Sequence, residues 1–377
     1  MKLLYITEGI NPVFFSQVVE LLNSIEETKY FEGITLLIGL KNLPFDENIK
    51  GLNKHINVFY FKTYPIYPFF NYLTEVSLSN IFNLIGINSN YIIHTRTEFL
   101  GTLTYSSYLK KHKEDPNLLV DIRGSVYEEV KYYGKMNNIL KFLKLFQFKN
   151  LMQYKLKNVK YFNAVTEELK KYIIDTYKIQ NSNISVIPTI SGKSFTFNEN
   201  KRHKIRKELG LTDNDILFVF SSGSSQAWQN DDAIVNTLID RGFKVLMLTK
   251  KEYLNKNIIS KFVDYTVVSD YLNAADIGII IRNNDIVNNV ASPIKFSEYL
   301  CCGLPIIANN SMAIVTNIIR QTKYGQIVEL TNINSSILEK LLSIDRKEIS
   351  TFGESIFGIN TITNKYLGIY NNMKEKK

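Results

Sequence analysis

Short, continuously apolar runs alternate along the chain with longer mixed segments, the pattern that βαβ units and parallel sheets impose. In the first half the runs predict strands at Lys2–Thr7, Ile34–Gly39, Val58–Phe61, Tyr91–Thr95, Leu118–Ile122 and Lys160–Val165, with helical segments between most of them. In the second half they predict strands at Ile216–Ser221, Lys244–Thr249, Phe262–Val268, Ile277–Ile281, Pro305–Ala308 and Gln326–Glu329. The run Ile277-Gly278-Ile279-Ile280-Ile281 has no polar side chain, as expected of a strand covered on both faces. Proline, glycine and serine gather in Ile187-Pro188-Thr189-Ile190-Ser191-Gly192-Lys193-Ser194, which places a hinge there. The prediction is an α/β protein of two doubly wound parallel-sheet domains, 1–187 and 188–354, with a terminal helix over 355–377 packing back on the first. Two such domains facing each other across a cleft would carry ligands at the carboxyl ends of their strands.

Length and composition agree with this reading. A chain of 377 residues is too long for one ordinary core, and 45% hydrophobic with 21% charged residues is the balance of a folded globular protein. No uninterrupted apolar stretch of about 18 residues is present, which argues against a spanning helix. Met1 to Thr7, followed by Glu8, reads as a first buried strand and not as a signal peptide. Cys301 and Cys302 are adjacent, a poor disulfide with no metal-ligand spacing, and fit a reducing cytoplasm.

The net charge of +9 suits nucleic acid, a membrane surface or a phosphorylated substrate, and its distribution helps to choose. No acidic residue lies between Glu129 and Glu167, whereas Lys131, Lys135, Lys141, Lys144, Lys149, Lys155, Lys157 and Lys160 are interleaved with leucine and phenylalanine. That composition over 135–160 matches a helix lying on a bilayer at the inner face of the plasma membrane. The alternative is an ordinary packed helix with solvated lysines, and nucleic acid is disfavoured.

The most informative segment runs from Ser292 to Ile307. Ser292 reads as a helix cap, Pro293 as a first-turn residue and Gly303 as a left-handed stop before the strand Pro305–Ala308. A helix start carries about half a positive charge and suits a diphosphate. Lys295 adds a point charge for phosphate, and Glu298, one turn on, can accept hydrogen bonds from a ribose diol.

This segment resembles the retaining GT-B glycosyltransferases of family four, in the branch that builds bacterial capsule, O-antigen and other surface polysaccharides. Glu298 matches the second of that family's two glutamates, and Gly303-Leu304-Pro305-Ile306-Ile307 matches the motif that follows. The first glutamate would fall at Val290, so the segment is similar to the family's Ser-Pro-x-Lys variant. The resemblance passes the donor-sugar role to Asn288, Asn289 or Ser292. It also places Ser222-Gly223-Ser224-Ser225 at the family's glycine loop against the diphosphate, with Trp228 and Gln229 where a lysine is usual. Lys295 or Arg282 would supply the lost charge. Gly9 resembles the N-terminal glycine loop, and Val165-Thr166-Glu167 with Ile187-Pro188 the entry into the second domain. Arg123 is the nearest match to a histidine that lines the donor sugar.

His94-Thr95-Arg96 and Asp121-Ile122-Arg123-Gly124 follow strands, with Glu128 close by. They either position an acceptor hydroxyl or brace loops as a charged network. The candidate catalytic residues are therefore Lys295, Arg123 and His94. The donor candidates are Glu298, Ser292, Pro293, Arg282, Gly223, Ser224, Gly9 and Asn289, and the acceptor candidates are Arg96, Asp121 and Glu128. Asp213-Asn214-Asp215 imitates a metal motif but reads as turn chemistry. The resemblance implies transfer with retention, from a nucleoside diphosphate sugar to a lipid-linked oligosaccharide, with no metal or other cofactor. The alternatives are a nucleotide-sugar epimerase of GT-B shape and a non-catalytic nucleotide- or lipid-binding partner.

Overall fold

The computed structural model describes residues 1–377 except 12, 44–47, 181–182, 222–230 and 376–377, and omits the side chains of 68, 69 and 231–233. The chain divides into two compact units, Met1–Pro188 with Thr363–Lys377, and Thr189–Ile362. The first unit regains the chain at Thr363, eight residues after the position 355 expected from the sequence, because Ser355–Ile362 group with the second.

The first unit is a sheet of seven parallel strands: β1 (Lys2–Glu8), β2 (Ile34–Leu40), β3 (Ile56–Lys62), β4 (Tyr91–Arg96), β5 (Leu118–Ile122), β6 (Tyr161–Ala164) and β7 (Ile184–Val186). Their order is β3-β2-β1-β4-β5-β6-β7. Strand β7 has only three residues and gives too short an apolar run to read from sequence. The second unit is a six-stranded parallel sheet, β8 (Leu217–Ser221), β9 (Lys244–Leu248), β10 (Ile258–Lys261), β11 (Ile277–Ile280), β12 (Ile306–Ala308) and β13 (Gly325–Ile327), in the order β10-β9-β8-β11-β12-β13. In each sheet the strand order reverses once, between β1 and β4 and between β8 and β11. Helices leave to opposite faces at such a point and open a crevice at the carboxyl ends, where ligands bind.

Burial on both faces explains the apolar runs. Leu3 to Ile6 of β1 and Leu217 to Val219 of β8 are wholly inaccessible. The expected strand Phe262–Val268 is a correction. Its β-branched run instead opens the helix Tyr265–Ala274, because Asp264 caps it by accepting the Thr266 N–H at 3.0 Å. One edge strand of this sheet is β10, just upstream.

Gly303 shows how the fold fixes the segment singled out above. It has φ +71°, and its N–H and that of Leu304 close the Ile294–Cys301 helix onto the carbonyls of Leu300 and Tyr299, both at 2.9 Å. An added Cβ would also overlap the Arg346 carbonyl. Gly303→Ala should therefore cost roughly 2–4 kcal/mol, from left-handed strain plus overpacking, as read from the urea midpoint.

Candidate functional site

In the second unit the chain leaves β11 at Arg282. The Arg282 backbone is clamped by Asn309: its N–H donates to Asn309 Oδ1 at 3.3 Å, and Asn309 Nδ2 donates to its carbonyl at 2.7 Å. Ser311 Oγ donates to the same Oδ1 at 2.7 Å, so the loops after β11 and β12 are tied together. Asp285 then caps the short helix Ile286–Asn289 by accepting the Asn288 N–H at 2.9 Å, and Asn288 Nδ2 donates back to both Asp285 oxygens at 3.2 Å. Asn288 is thereby engaged, while Asn289 is half-buried at the end of that turn. Val290, where the resembling family has its first glutamate, is 1% exposed and part of the core.

The Ile294–Cys301 helix begins two residues after Ser292, with Pro293 as its N-cap. This corrects the expected cap. The Ser292 hydroxyl lies 2.9 Å from Thr189 Oγ1 and accepts the Thr189 N–H at 3.3 Å, so it ties the helix start to the beginning of the unit. One turn in, Lys295 Nζ donates to Glu298 Oε2 at 2.8 Å, and Glu298 is 1% exposed. Phosphate and ribose groups expected to act apart are thus paired in the free protein. Tyr299 packs its ring against Gly278, where an added Cβ would approach Cδ2 to 2.5 Å, and its hydroxyl accepts the Ser221 N–H at 2.9 Å. The helix thereby holds the end of β8. Gly223 and Ser224 lie outside the described residues.

In the first unit Gly9 ends β1 with φ +71° and donates its N–H to the Gly39 carbonyl at 2.8 Å. A small cavity of about 80 Å³ opens there between Gly9, Asn11, Arg96 and Thr97. Thr97 holds φ +89°, strained for a β-branched residue, at the turn from β4 into the helix Glu98–His112. Such strain at a strand end leaves no mark in the sequence.

Behind that rim lies a buried network. Asp121 Oδ1 accepts from Asn163 Nδ2 at 2.7 Å, and Oδ2 accepts from the Tyr366 hydroxyl at 3.2 Å and from Arg123 Nη1 at 3.5 Å. Arg123 Nη2 donates to Gln17 Oε1 at 3.0 Å, and Arg96 Nη1 to the Gln17 carbonyl at 3.4 Å. His94 is wholly buried, with Nδ1 2.7 Å from the Tyr370 hydroxyl and Nε2 3.6 Å from Asp121 Oδ2. Burial alone would raise the Asp121 carboxyl. Arg123, His94 and Arg96 outweigh it and hold Asp121 below the usual carboxylate range. Burial also pushes His94 below its ordinary value, against Asp121, which keeps the ring neutral. A neutral ring with its proton on Nε2 faces Asp121 and leaves Nδ1 to accept from Tyr370.

Of the two readings left open for them, His94 and Asp121, 0% and 1% exposed, have the partners that bracing requires. Arg123 and Arg96 are the partly exposed members. Glu128 pairs with Lys131 one turn on, at 3.4 Å. Sequence reasoning missed Tyr366, Tyr370, Gln17 and Asn163, which carry no motif and meet Asp121 only through the fold. Asp215 stands in the turn before β8, held by Thr212 and by Lys244 at 2.6 Å, as turn chemistry requires.

Two predictions follow from these buried carboxylates. Lys295→Met strands the Glu298 charge and should lower stability by about 2 kcal/mol, whereas Lys295→Met with Glu298→Gln recovers most of that loss in a double-mutant cycle of urea midpoints. Glu98 is 1% exposed, and burial pushes its carboxyl up to about 8 against the lowering pull of the Tyr177 hydroxyl and nearby backbone. A raised carboxyl favours the fold below the unfolded value near 4.5 and loses that contribution as pH climbs towards 8. Glu98→Gln should therefore stabilise the protein by roughly 2 kcal/mol at pH 7.5 and by little at pH 5, in thermal melts across that window.

No protein family and no curated protein matches the chain by sequence. Solved structures do match. A glycosyltransferase from Rickettsia africae is 16% identical, with a TM-score of 0.72 over 100% of this chain and 99% of that one. Sucrose-phosphate synthase from Thermosynechococcus elongatus is 14% identical, with a TM-score of 0.71 over 100% of both chains. HepE from Anabaena, solved with UDP-glucose, is 13% identical, with a TM-score of 0.67 over 99% of this chain and 100% of that one. At such identities the likeness establishes the fold: two Rossmann-like parallel-sheet units of the GT-B glycosyltransferase kind.

Proposed function

We propose that this chain is a retaining glycosyltransferase that moves a sugar from a nucleoside diphosphate sugar to a hydroxyl of a lipid-linked oligosaccharide in surface-polysaccharide synthesis. The observation that carries the reading is the Lys295–Glu298 pair, a nearly inaccessible carboxylate and a lysine on the first turns of the helix that follows the central strand β11. A diphosphate at that helix start meets the positive end of the peptide dipoles and the Lys295 ammonium. Both stabilise the charge that grows on the leaving diphosphate. Glu298 accepts from the two ribose hydroxyls, a selective contact because it is held out of water. Arg282, whose backbone Asn309 clamps, adds a second cation at the end of β11. The acceptor is taken by the first unit, where Arg96 lines the small cavity after β1 and Arg123 is joined to it through Gln17. The resemblance to HepE, solved with UDP-glucose, supports a uridine diphosphate sugar as the first donor to try.

The test is a thermal-shift screen of nucleoside diphosphates, because a ligand bound only by the folded state raises the melting point. One diphosphate is expected to give a shift that survives EDTA and disappears in the Glu298→Gln, Lys295→Met double variant, whose fold the compensating changes preserve. The matching sugar nucleotide should then release diphosphate only when an acceptor glycan is added. A shift that persists in the double variant removes the ribose assignment. Turnover of donor to its epimer without acceptor replaces the transferase with an epimerase.

A further inference from the structure

The loop that joins the helix Glu98–His112 to β5 walls a cavity of about 500 Å³ at the amino ends of β4, β5 and β6. Ligands of a doubly wound sheet bind at the carboxyl ends of its strands, and the five residues of β5 put about 16 Å between the two ends. The cavity therefore stands apart from the Gly9 rim and from every residue assigned above to donor or acceptor. Its walls are fixed by hydrogen bonds. The Tyr105 hydroxyl donates to Asp115 Oδ1 at 2.7 Å, the Tyr108 hydroxyl to Glu114 Oε1 at 3.3 Å, and the Tyr161 hydroxyl to the Asn372 carbonyl at 3.4 Å. The Asn117 carbonyl accepts the Ile93 N–H at 2.8 Å. Burial and the neighbouring carboxylates push the Tyr105 and Tyr108 phenols up to about 12, so both stay donors and hold the acids in place.

The lining selects the ligand. Each phenol engages one oxygen of its carboxylate, which leaves Glu114 and Asp115, both exposed, with accepting capacity for something else. The exposed Lys160 has its ammonium 3.9 Å from Asp115 Oδ2. The Asn117 amide lines the cavity too, and its Nδ2 is buried without a partner among the described residues, so it gains by turning to an oxygen that a ligand brings. Tyr108 and Met373, each 1% exposed, and the half-buried Tyr161 ring add apolar surface. Two carboxylates repel a phosphate, whereas Lys160 answers Asp115 and weakens the pull on a free ammonium. Among the described residues no group of three His, Cys, Asp or Glu could hold a metal ion. A neutral polyol uses every feature. Adjacent hydroxyls donate to the carboxylates, a ring oxygen accepts from Asn117 or Lys160, and the C–H face of the sugar lies on tyrosine and methionine. The volume is that of an ordinary small-molecule site, roughly one or two sugar rings.

We propose that this cavity binds a neutral saccharide, whose hydroxyls meet Glu114, Asp115 and Asn117 and whose C–H face meets Tyr108 and Tyr161. The site holds a glycan and does no chemistry on it. It lies wholly within the first unit, so it stands or falls separately from the transferase reading.

The experiment is saturation-transfer NMR on the full chain with maltotriose, cellotriose and triacetylchitotriose, each alone and with excess UDP, and with spermidine as a cationic control. At least one trisaccharide is expected to bind with roughly millimolar affinity. UDP, repelled by the two acids, should leave its signal unchanged. Glu114→Ala with Asp115→Ala should weaken binding at least about tenfold, and Ser89→Trp, which fills the exposed rim, comparably. These positions are exposed, and unchanged melting points confirm that the variants fold. Absence of binding by any trisaccharide at about 10 mM overturns the proposal. So does binding that UDP displaces or that survives both variants. Spermidine held more tightly than any trisaccharide, and lost in the same variants, makes the cavity a cation site and overturns it equally.

Discussion

A carboxylate taken out of water must be answered by fixed donors, and the layout of both units follows from how they meet that demand. Asp121 is answered by Arg123, Asn163 and Tyr366, which come from the loop after β5, from β6 and from the returning C-terminal helix. Asp276, ahead of β11, is answered by Arg206 at 3.1 Å and by the Leu217 N–H at 2.7 Å, which joins the second sheet to the helix Glu199–Glu208. Glu75 is answered by Lys110 and Lys155, which pin the helix Asn138–Lys155. Among the described residues, Glu298 is answered by Lys295 alone. The first three join elements far apart in sequence and serve as rivets. The last joins residues three apart on one helix, and its lysine is the more exposed partner. Glu98 is the counter-example: burial outweighs its neighbours and pushes the carboxyl up to about 8.

The same distinction sets what the sequence can disclose. Local interactions were legible. The apolar runs gave the strands because burial on both faces removes polar positions, and Gly303 gave a helix stop because only glycine tolerates the conformation beneath Arg346. Phe262–Val268 misled because a β-branched run is neutral between strand and buried helix face until Asp264 caps it. Ser292 misled similarly: a serine before proline suits a cap, but its hydroxyl is drawn to Thr189, more than a hundred residues away. Bracing was one of two open readings of His94, but its partner was illegible, because Tyr370 meets β4 only through the returning C-terminal helix.

The C-terminal helix Ile359–Glu375 shows how far such distant interactions reach. Tyr366 and Tyr370 place their hydroxyls on Asp121 and His94, at the carboxyl ends of the two strands that also carry Arg123 and Arg96. Burial pushes both phenols well above their ordinary range, so they stay donors at any working pH. The orientation of Arg123 towards the rim therefore depends on the end of the chain. A deletion of the last helix would disturb the first unit's strand ends before it disturbed its sheet.

In the proposed transferase the Lys295–Glu298 pair would take over from the first glutamate that the resembling family has at position 290. At position 290 the chain has a core valine, so no carboxylate stands there to orient a donor sugar. In the proposed transferase the work of the helix falls on one acid and one base that neutralise each other while the site is empty. A diphosphate draws Lys295 towards itself and leaves Glu298 unpaired in a place water hardly reaches, a state that costs several kcal/mol unless new donors arrive. Ribose hydroxyls are such donors. Phosphate alone would break the pair without repairing it, and ribose alone would find Glu298 already satisfied. In the proposed transferase the two halves of a nucleoside diphosphate would thus bind cooperatively, and selectivity for the whole ligand over its fragments would arise from a single 2.8 Å contact that the free protein has to give up.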